Sequence, residues 1–157
     1  MLTVALAAAM SQTMKTPWTD KVDRLRPHSE YPRPTMVRKD WVNLNGPWSY
    51  KIEKTSDNAP DQFDGEIVVP FPVESLLSGV QKPLLPGNTL WYRRSFRLPP
   101  SWNEKVLLHF GAVDYKARVW VNGHFVGEHK GGFTPFSFEI SNHLKSGEQD
   151  VVVAVED

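Results

Sequence analysis

Val119-Trp120-Val121-Asn122-Gly123-His124-Phe125-Val126 is the stretch on which the fold turns. Asn-Gly between two alternating runs is the favoured pair for a type I′ hairpin, because both central residues need positive φ. Gly adopts that conformation freely and Asn tolerates it. A two-residue loop also sets the register. Val121 then faces His124, Trp120 faces Phe125, and Val119 faces Val126. Side chains alternate across a strand. Val119, Val121 and Val126 therefore share one face, the expected core, while Arg118, Trp120 and Phe125 share the other.

The same period of two extends outward from the hairpin. Ala117 continues the valine face. Val106, Leu108 and Phe110 form an apolar face before it, and Phe136, Phe138 and Ile140 form one after it. Val151, Val153 and Val155 close the series. Upstream, Leu90, Tyr92, Phe96 and Leu98 fall on one face, interrupted by Arg94. Trp91, Arg93, Ser95 and Arg97 fall on the other, and Pro99-Pro100 ends the strand. Trp48 to Ile52 alternates, and Ile67-Val68-Val69 is a short buried strand stopped by Pro70 and Pro72. Ser141 to Lys145 is expected to make one helical turn. Pro17, Pro27, Pro32 and Pro34 mark an extended arm lying on the domain surface. Pro70 to Asn88 is a long connection, of a length that packs against something or has a task. Short strands at regular spacing with turn signals between them predict an all-β sandwich or jelly roll. Aromatic residues on both faces of the sheet admit two expectations. Either the second face is buried beneath the arm or another domain, or it is a platform for stacking a sugar ring.

Composition narrows the functions. Lys+Arg 18 balance Asp+Glu 18 with no basic run, which leaves no electrostatic footprint for nucleic acid or an anionic membrane. There are 0 Cys, so disulfides and thiolate chemistry are excluded. Leu2 to Met10 is an apolar run too short to span a membrane. It is either a signal-peptide remnant, implying a secreted or periplasmic protein, or a leader on a cytoplasmic one; the first Lys is Lys15, so a positive start is missing.

Chemistry is harder to find. Glycosidases need two carboxylates facing each other across roughly 5 to 9.5 Å. Asp114, Glu128, Glu139 and Asp157 qualify by type, but nothing in the pattern makes any pair converge. Asn103-Glu104 follows Pro99-Pro100-Ser101-Trp102 and is expected to be a turn. His124 and His129 lack metal-ligand spacing, and Gly131-Gly132 alone makes no phosphate loop. No cofactor is expected.

Several segments taken together carry a family resemblance. They are Asp40-Trp41 with Leu44-Asn45-Gly46-Pro47-Trp48, Val69 to Ser75, Leu90-Trp91-Tyr92-Arg93-Arg94, Leu107 to Asp114, Val119 to Gly123, and Glu128 to Phe136. In this order they resemble the N-terminal sugar-binding jelly roll of family 2 glycoside hydrolases, which include β-galactosidases, β-glucuronidases and β-mannosidases. The resemblance implies a galactose-binding-like jelly-roll β-sandwich over residues 25–157, cut before its final strand, with residues 1–24 as a poorly ordered leader. It implies no catalytic residue in this chain, because the family's two catalytic glutamates lie in a TIM barrel that follows an immunoglobulin-like domain. Asn88 and Asp157 are the implied sugar contacts. Trp91, Trp120 and Phe125 are candidates for domain docking or sugar stacking. The implied partners are a β-linked glycoside in the full-length enzyme and the two further domains. A freestanding carbohydrate-binding module and a purely structural interaction domain are the alternatives. An open sheet edge left by the absent strand would favour homo-oligomers.

Overall fold

The computed structural model describes residues 15–30, 38–102 and 104–157. The apolar run at 2–10, Pro32 and Pro34 of the arm, and Asn103 lie outside them. Eight strands follow in chain order: β1 (Gly46–Lys54), β2 (Gly65–Val69), β3 (Asn88–Arg97), β4 (Leu107–Phe110), β5 (Lys116–Val121), β6 (His124–Lys130), β7 (Phe136–Glu139) and β8 (Glu148–Glu156). Six form one antiparallel sheet in the order β2-β1-β3-β8-β5-β6, and β4 pairs with β7 in a second. The last strand, β8, inserts between β3 and β5. That return is what makes a jelly roll of these strands and not a meander.

The alternation read from the sequence sets the inner face. Val119, Val121 and Val151 are fully buried, with Leu90, Val153 and Val155 beside them. Trp48 meets Tyr92 edge to face at 6.4 Å. Leu108 and Ile140 close the layer from the small sheet. The long 70–87 connection packs too. Val73 is buried, and the Ser78 hydroxyl, also buried, donates to the carbonyls of Val73 and Ser75 at 3.0 and 2.8 Å. The Ser78 carbonyl accepts the Val68 N–H at 2.9 Å, covering the outer edge of β2. A 3-10 turn at Ser141–His143 stands where one helical turn was expected.

The arm lies against the start of β1. The Asn43 side-chain amide donates to the His28 carbonyl at 3.0 Å, and that of Asn45 to Pro27 at 3.3 Å. Gly46 opens β1 at φ +115, where a Cβ would sit 2.7 Å from the Leu25 carbonyl oxygen, so only glycine lets the arm come this close.

The hairpin forms as expected at its tip and departs from expectation four residues on. Asn122 and Gly123 have φ 50 and 80. Val121 faces His124 and Trp120 faces Phe125, but Val119 faces Gly127 and not Val126. Val126 is the additional residue of a β-bulge. The reason lies outside the hairpin. The Phe138 ring from β7 covers Gly127, and a Cβ there would come within 2.7 Å of its Cδ1. A slip that places glycine beneath this ring lets β6 and β7 meet. Val126 still packs on the core. Gly127→Val should therefore cost about 1–3 kcal/mol through overpacking, read as a lower urea midpoint; an unchanged midpoint would show that Phe138 can move aside.

Candidate functional site

The unequal sheets leave a groove of about 1200 Å³. Its floor is the inner face of the large sheet, including Leu90, Tyr92, Phe96 and Val153. One wall is the run from Val106 to Asp114, which contains all of β4. No residue of β7 lines the groove, so β4 turns toward it the edge that β7 does not pair. The opposite wall comes from the 41–45 and 69–74 segments.

Two polar groups on the inner face shape this groove. Arg94, the interruption noted in the sequence, reaches across to the 41–45 wall. Its Nη1 donates to the carbonyls of Leu44 and Asn45 at 2.8 and 3.0 Å, and burial lowers its pKa. Tyr92 stays neutral: burial first, then the negative charge of Glu74, pushes its hydroxyl pKa upward. The Trp41 ring stacks on His109 of β4 at 5.4 Å, joining the two walls.

Asn88 and Asp157 stand at the same end of the neighbouring strands β3 and β8. Asn88 opens β3, and Asp157 follows β8 and lines the groove. The β3–β8 pairing ends at Leu90 and Val155, two residues short of Asn88 and Asp157. Asp114 lines the groove with Asp157, and its carboxyl group rests where a Gly132 side chain would project, the Asp114 Cβ being 3.1 Å from that point. The other acidic candidates lie elsewhere and are paired. Glu128 lies 3.7 Å from Lys116 and 3.6 Å from Lys130, and Glu139 lies 3.2 Å from Lys105.

The aromatic candidates occupy the outer face of the large sheet. Trp91 and Trp120 have ring centroids 5.7 Å apart, and Trp120 and Phe125 are 5.5 Å apart. Arg118 lies over both Trp rings, its Cζ 6.0 Å from the centroid of Trp91 and 5.7 Å from that of Trp120. It then grips the 56–57 loop, donating to Asp57 at 2.9 Å and to the Ser56 carbonyl at 3.1 Å, and to Glu156 at 2.9 Å. This loop and Arg118 cover the tryptophan part of the second face. Trp91 has 0% exposure and so no surface to offer a ligand or a domain, whereas Phe125 is 55% exposed. Trp120 is half-buried between them.

Sequence reasoning missed the most exposed aromatic among the described residues. Phe133 is 94% exposed and Tyr115 is 52% exposed, on two loops joined by the Gly131 N–H donating to the Tyr115 carbonyl. The available signal was a lone aromatic between Gly131-Gly132 and Thr134-Pro135, a loop that offers it nothing local to pack against.

A jelly-roll sandwich with one overgrown sheet, an open groove and a loop rim defines a β-sandwich domain of the carbohydrate-binding type. The family described as "Glycosyl hydrolases family 2, sugar binding domain" matches residues 41–156, and the chain belongs to it. It is 36% identical over 123 residues to a β-galactosidase of Thermoanaerobacter pseudethanolicus, covering 75% of this chain and 17% of that protein. It is 36% identical over 107 residues to a β-glucuronidase of Streptococcus agalactiae, covering 68% and 18%. Among solved structures, a Lactobacillus rhamnosus β-glucuronidase aligns at a TM-score of 0.62 and 29% identity, over 73% of this chain and 20% of that one. The chain thus spans less than a fifth of the length of these two curated relatives.

Two outcomes follow from the geometry. Arg118→Met strips the Ser56 carbonyl and Glu156 of a donor and should cost about 1–3 kcal/mol. Asp57→Ala, at an exposed partner, should cost less than about 1 kcal/mol in the same chemical denaturation series; equal costs would contradict the role of Arg118 as the hub. Tyr92 predicts an alkaline effect. Its folded pKa is raised, so above the usual phenol value of about 10 the unfolded chain holds fewer protons and stability falls as pH rises. The contribution is complete below that value, and Tyr92→Phe should flatten the fall in melting temperature between neutral and strongly alkaline pH.

Proposed function

We propose that this chain is the non-catalytic N-terminal sugar-binding portion of a longer β-glycosidase acting on β-linked galactosides or glucuronides. The observation that carries this is the family match across residues 41–156, from a chain that spans only 17% and 18% of two enzymes it resembles. In such an enzyme an immunoglobulin-like domain and a TIM barrel supply the rest, and the barrel supplies both catalytic glutamates. This domain packs on them and shapes one wall of the pocket. Asn88 and Asp157 turn that end of β3 and β8 toward the sugar, and Trp120 and Phe125 receive a neighbouring domain, with Trp91 supporting Trp120 from beneath. The groove supports the same reading. An apolar floor beside the free edge of β4 accommodates one further strand, as the final strand of the jelly roll would require.

The test is to express the chain alone and joined to whatever its reading frame encodes after Asp157, and to assay aryl β-galactoside and aryl β-glucuronide hydrolysis. Turnover is expected only from the longer polypeptide; turnover by the chain alone would contradict the proposal.

A freestanding carbohydrate-binding module is the second reading, favoured by the exposure of Phe125 beside Trp120. It requires calorimetric binding of simple galactosides or glucuronides by the chain alone, lost in Trp120→Ala without loss of folding.

A further inference from the structure

Asn122-Gly123 carries a chemistry that the hairpin does not use. The chain holds two Asn-Gly pairs, this one and Asn45-Gly46. Asn is a thermolabile residue. A glycine after it has no Cβ to hinder its backbone nitrogen, which can then attack the Asn side-chain carbonyl carbon. A C–N bond forms and closes a succinimide ring. The glycine N–H proton passes to solvent, and the side-chain nitrogen takes up a proton and leaves as ammonia. Water then opens the ring at either carbonyl. The product is Asp, or the isomer whose backbone runs through the side-chain carbon. Water is consumed, ammonia is released, and nothing is oxidised or reduced.

The surroundings of Gly123 favour this reaction, and those of Asn122 oppose it. Gly123 is exposed at φ 80, and a Cβ there would meet nothing within 4 Å, so solvent surrounds the attacking residue. The Asn122 amide is committed elsewhere. Its Oδ1 accepts the Asp150 N–H at 2.9 Å, and its Nδ2 donates to the His143 carbonyl and to Gln149 Oε1, each at 2.8 Å. Ring closure brings Cγ within bonding distance of the Gly123 nitrogen and expels Nδ2. The amide must first let go of these partners.

We propose that Asn122 is a fold-gated deamidation site. The bonds to His143, Gln149 and Asp150 keep its amide from reacting while β8 is seated, and conversion after they open removes the donors that seat it. The second half follows from the donor count. Aspartate at this position has no N–H for the His143 carbonyl or Gln149 Oε1, and it faces both with an acceptor. Gln149 cannot turn its own N–H toward it. Its Nε2 already serves the carbonyls of Lys145 and Gly147, and its Oε1 also accepts the Lys145 N–H at 3.0 Å. Gln149 is 2% exposed, so the mismatch falls where water does not repair it. The isomer adds a backbone carbon to a two-residue loop and disturbs the register as well. A chain that has opened at this corner thus keeps a chemical mark of it. This inference is independent of the function proposed above.

Peptide mapping by mass spectrometry tests it. The protein is incubated at mildly alkaline pH, folded and in urea, and conversion is followed at both Asn-Gly pairs, with Asn45-Gly46 in urea giving the rate of an unrestrained pair. Conversion at Asn122 is expected to be about a hundredfold slower in the folded protein than in urea, because it waits for local opening. Equal rates overturn the gate. Gln149→Ala removes one acceptor and should speed native conversion at Asn122 by about tenfold. Gly127→Val, which disturbs β6 outside the network, is the control. No acceleration by Gln149→Ala, or equal acceleration by Gly127→Val, shows that this network does not gate the reaction and overturns the proposal. If Gln149→Ala does not fold, the ratio between folded and urea-treated wild type still decides the gate. Asn122→Asp tests the second half. A lower urea midpoint than wild type is expected, and an unchanged midpoint overturns it.

Discussion

Asn122 holds three pieces of chain at once. Its backbone takes the positive φ that the hairpin needs, and its N–H donates to the Asp150 carbonyl at 2.8 Å. Its side-chain oxygen accepts the Asp150 N–H at 2.9 Å, and its side-chain nitrogen donates to the His143 carbonyl and to Gln149 Oε1, each at 2.8 Å. Gln149 is 2% exposed and spends its own amide on the carbonyls of Lys145 and Gly147 at 2.7 and 2.9 Å. The β5–β6 turn, the 3-10 turn and the start of β8 are thereby fixed together. A buried amide network of this kind is stabilising only because its members are satisfied. It sets where β8 enters the sheet, and β8 in turn carries Val151, Val153 and Val155 to the inner face and Asp157 to the groove lining.

From that constraint the asymmetry of the molecule follows. Among the described residues six strands build one sheet, while only β4 and β7 answer it across the core. The inner face is mostly apolar, interrupted by Arg94, so the part that β4 and β7 do not cover becomes the floor of the groove. Arg94 and the stacked Trp41–His109 pair tie the walls to this floor. On the other face the cation of Arg118 seals two tryptophans under a short loop. The outer face is thus closed over Trp91 and left open at Phe125, while the inner face keeps an open groove.

How much of this was legible depended on distance along the chain. The hairpin, the valine faces and the sandwich class are local patterns of period two, and they were readable. The bulge was not, because it is dictated by Phe138, a side chain on a different strand from Gly127. The interruption at Arg94 was visible, but its partners lie 50 and 49 residues away. Trp91 read as a docking residue because its strand places it on the outer face; its burial depends on Arg118, itself held by Ser56 and Asp57. Asn88 and Asp157 came from the family resemblance alone, with no pattern of their own. The fold sets them at the same end of β3 and β8, two residues beyond the last paired positions of those strands.

The central claim is that the domain is one part of a longer enzyme, with the β4 edge reserved for chain that follows. Hydrogen–deuterium exchange of the Leu107–Phe110 amides measures this most directly, comparing the chain alone with the chain joined to its continuation. Slower exchange along β4 in the longer polypeptide is the predicted result, because an added strand would engage the free edge. Identical exchange in the two would show that the groove stays empty and would contradict the account.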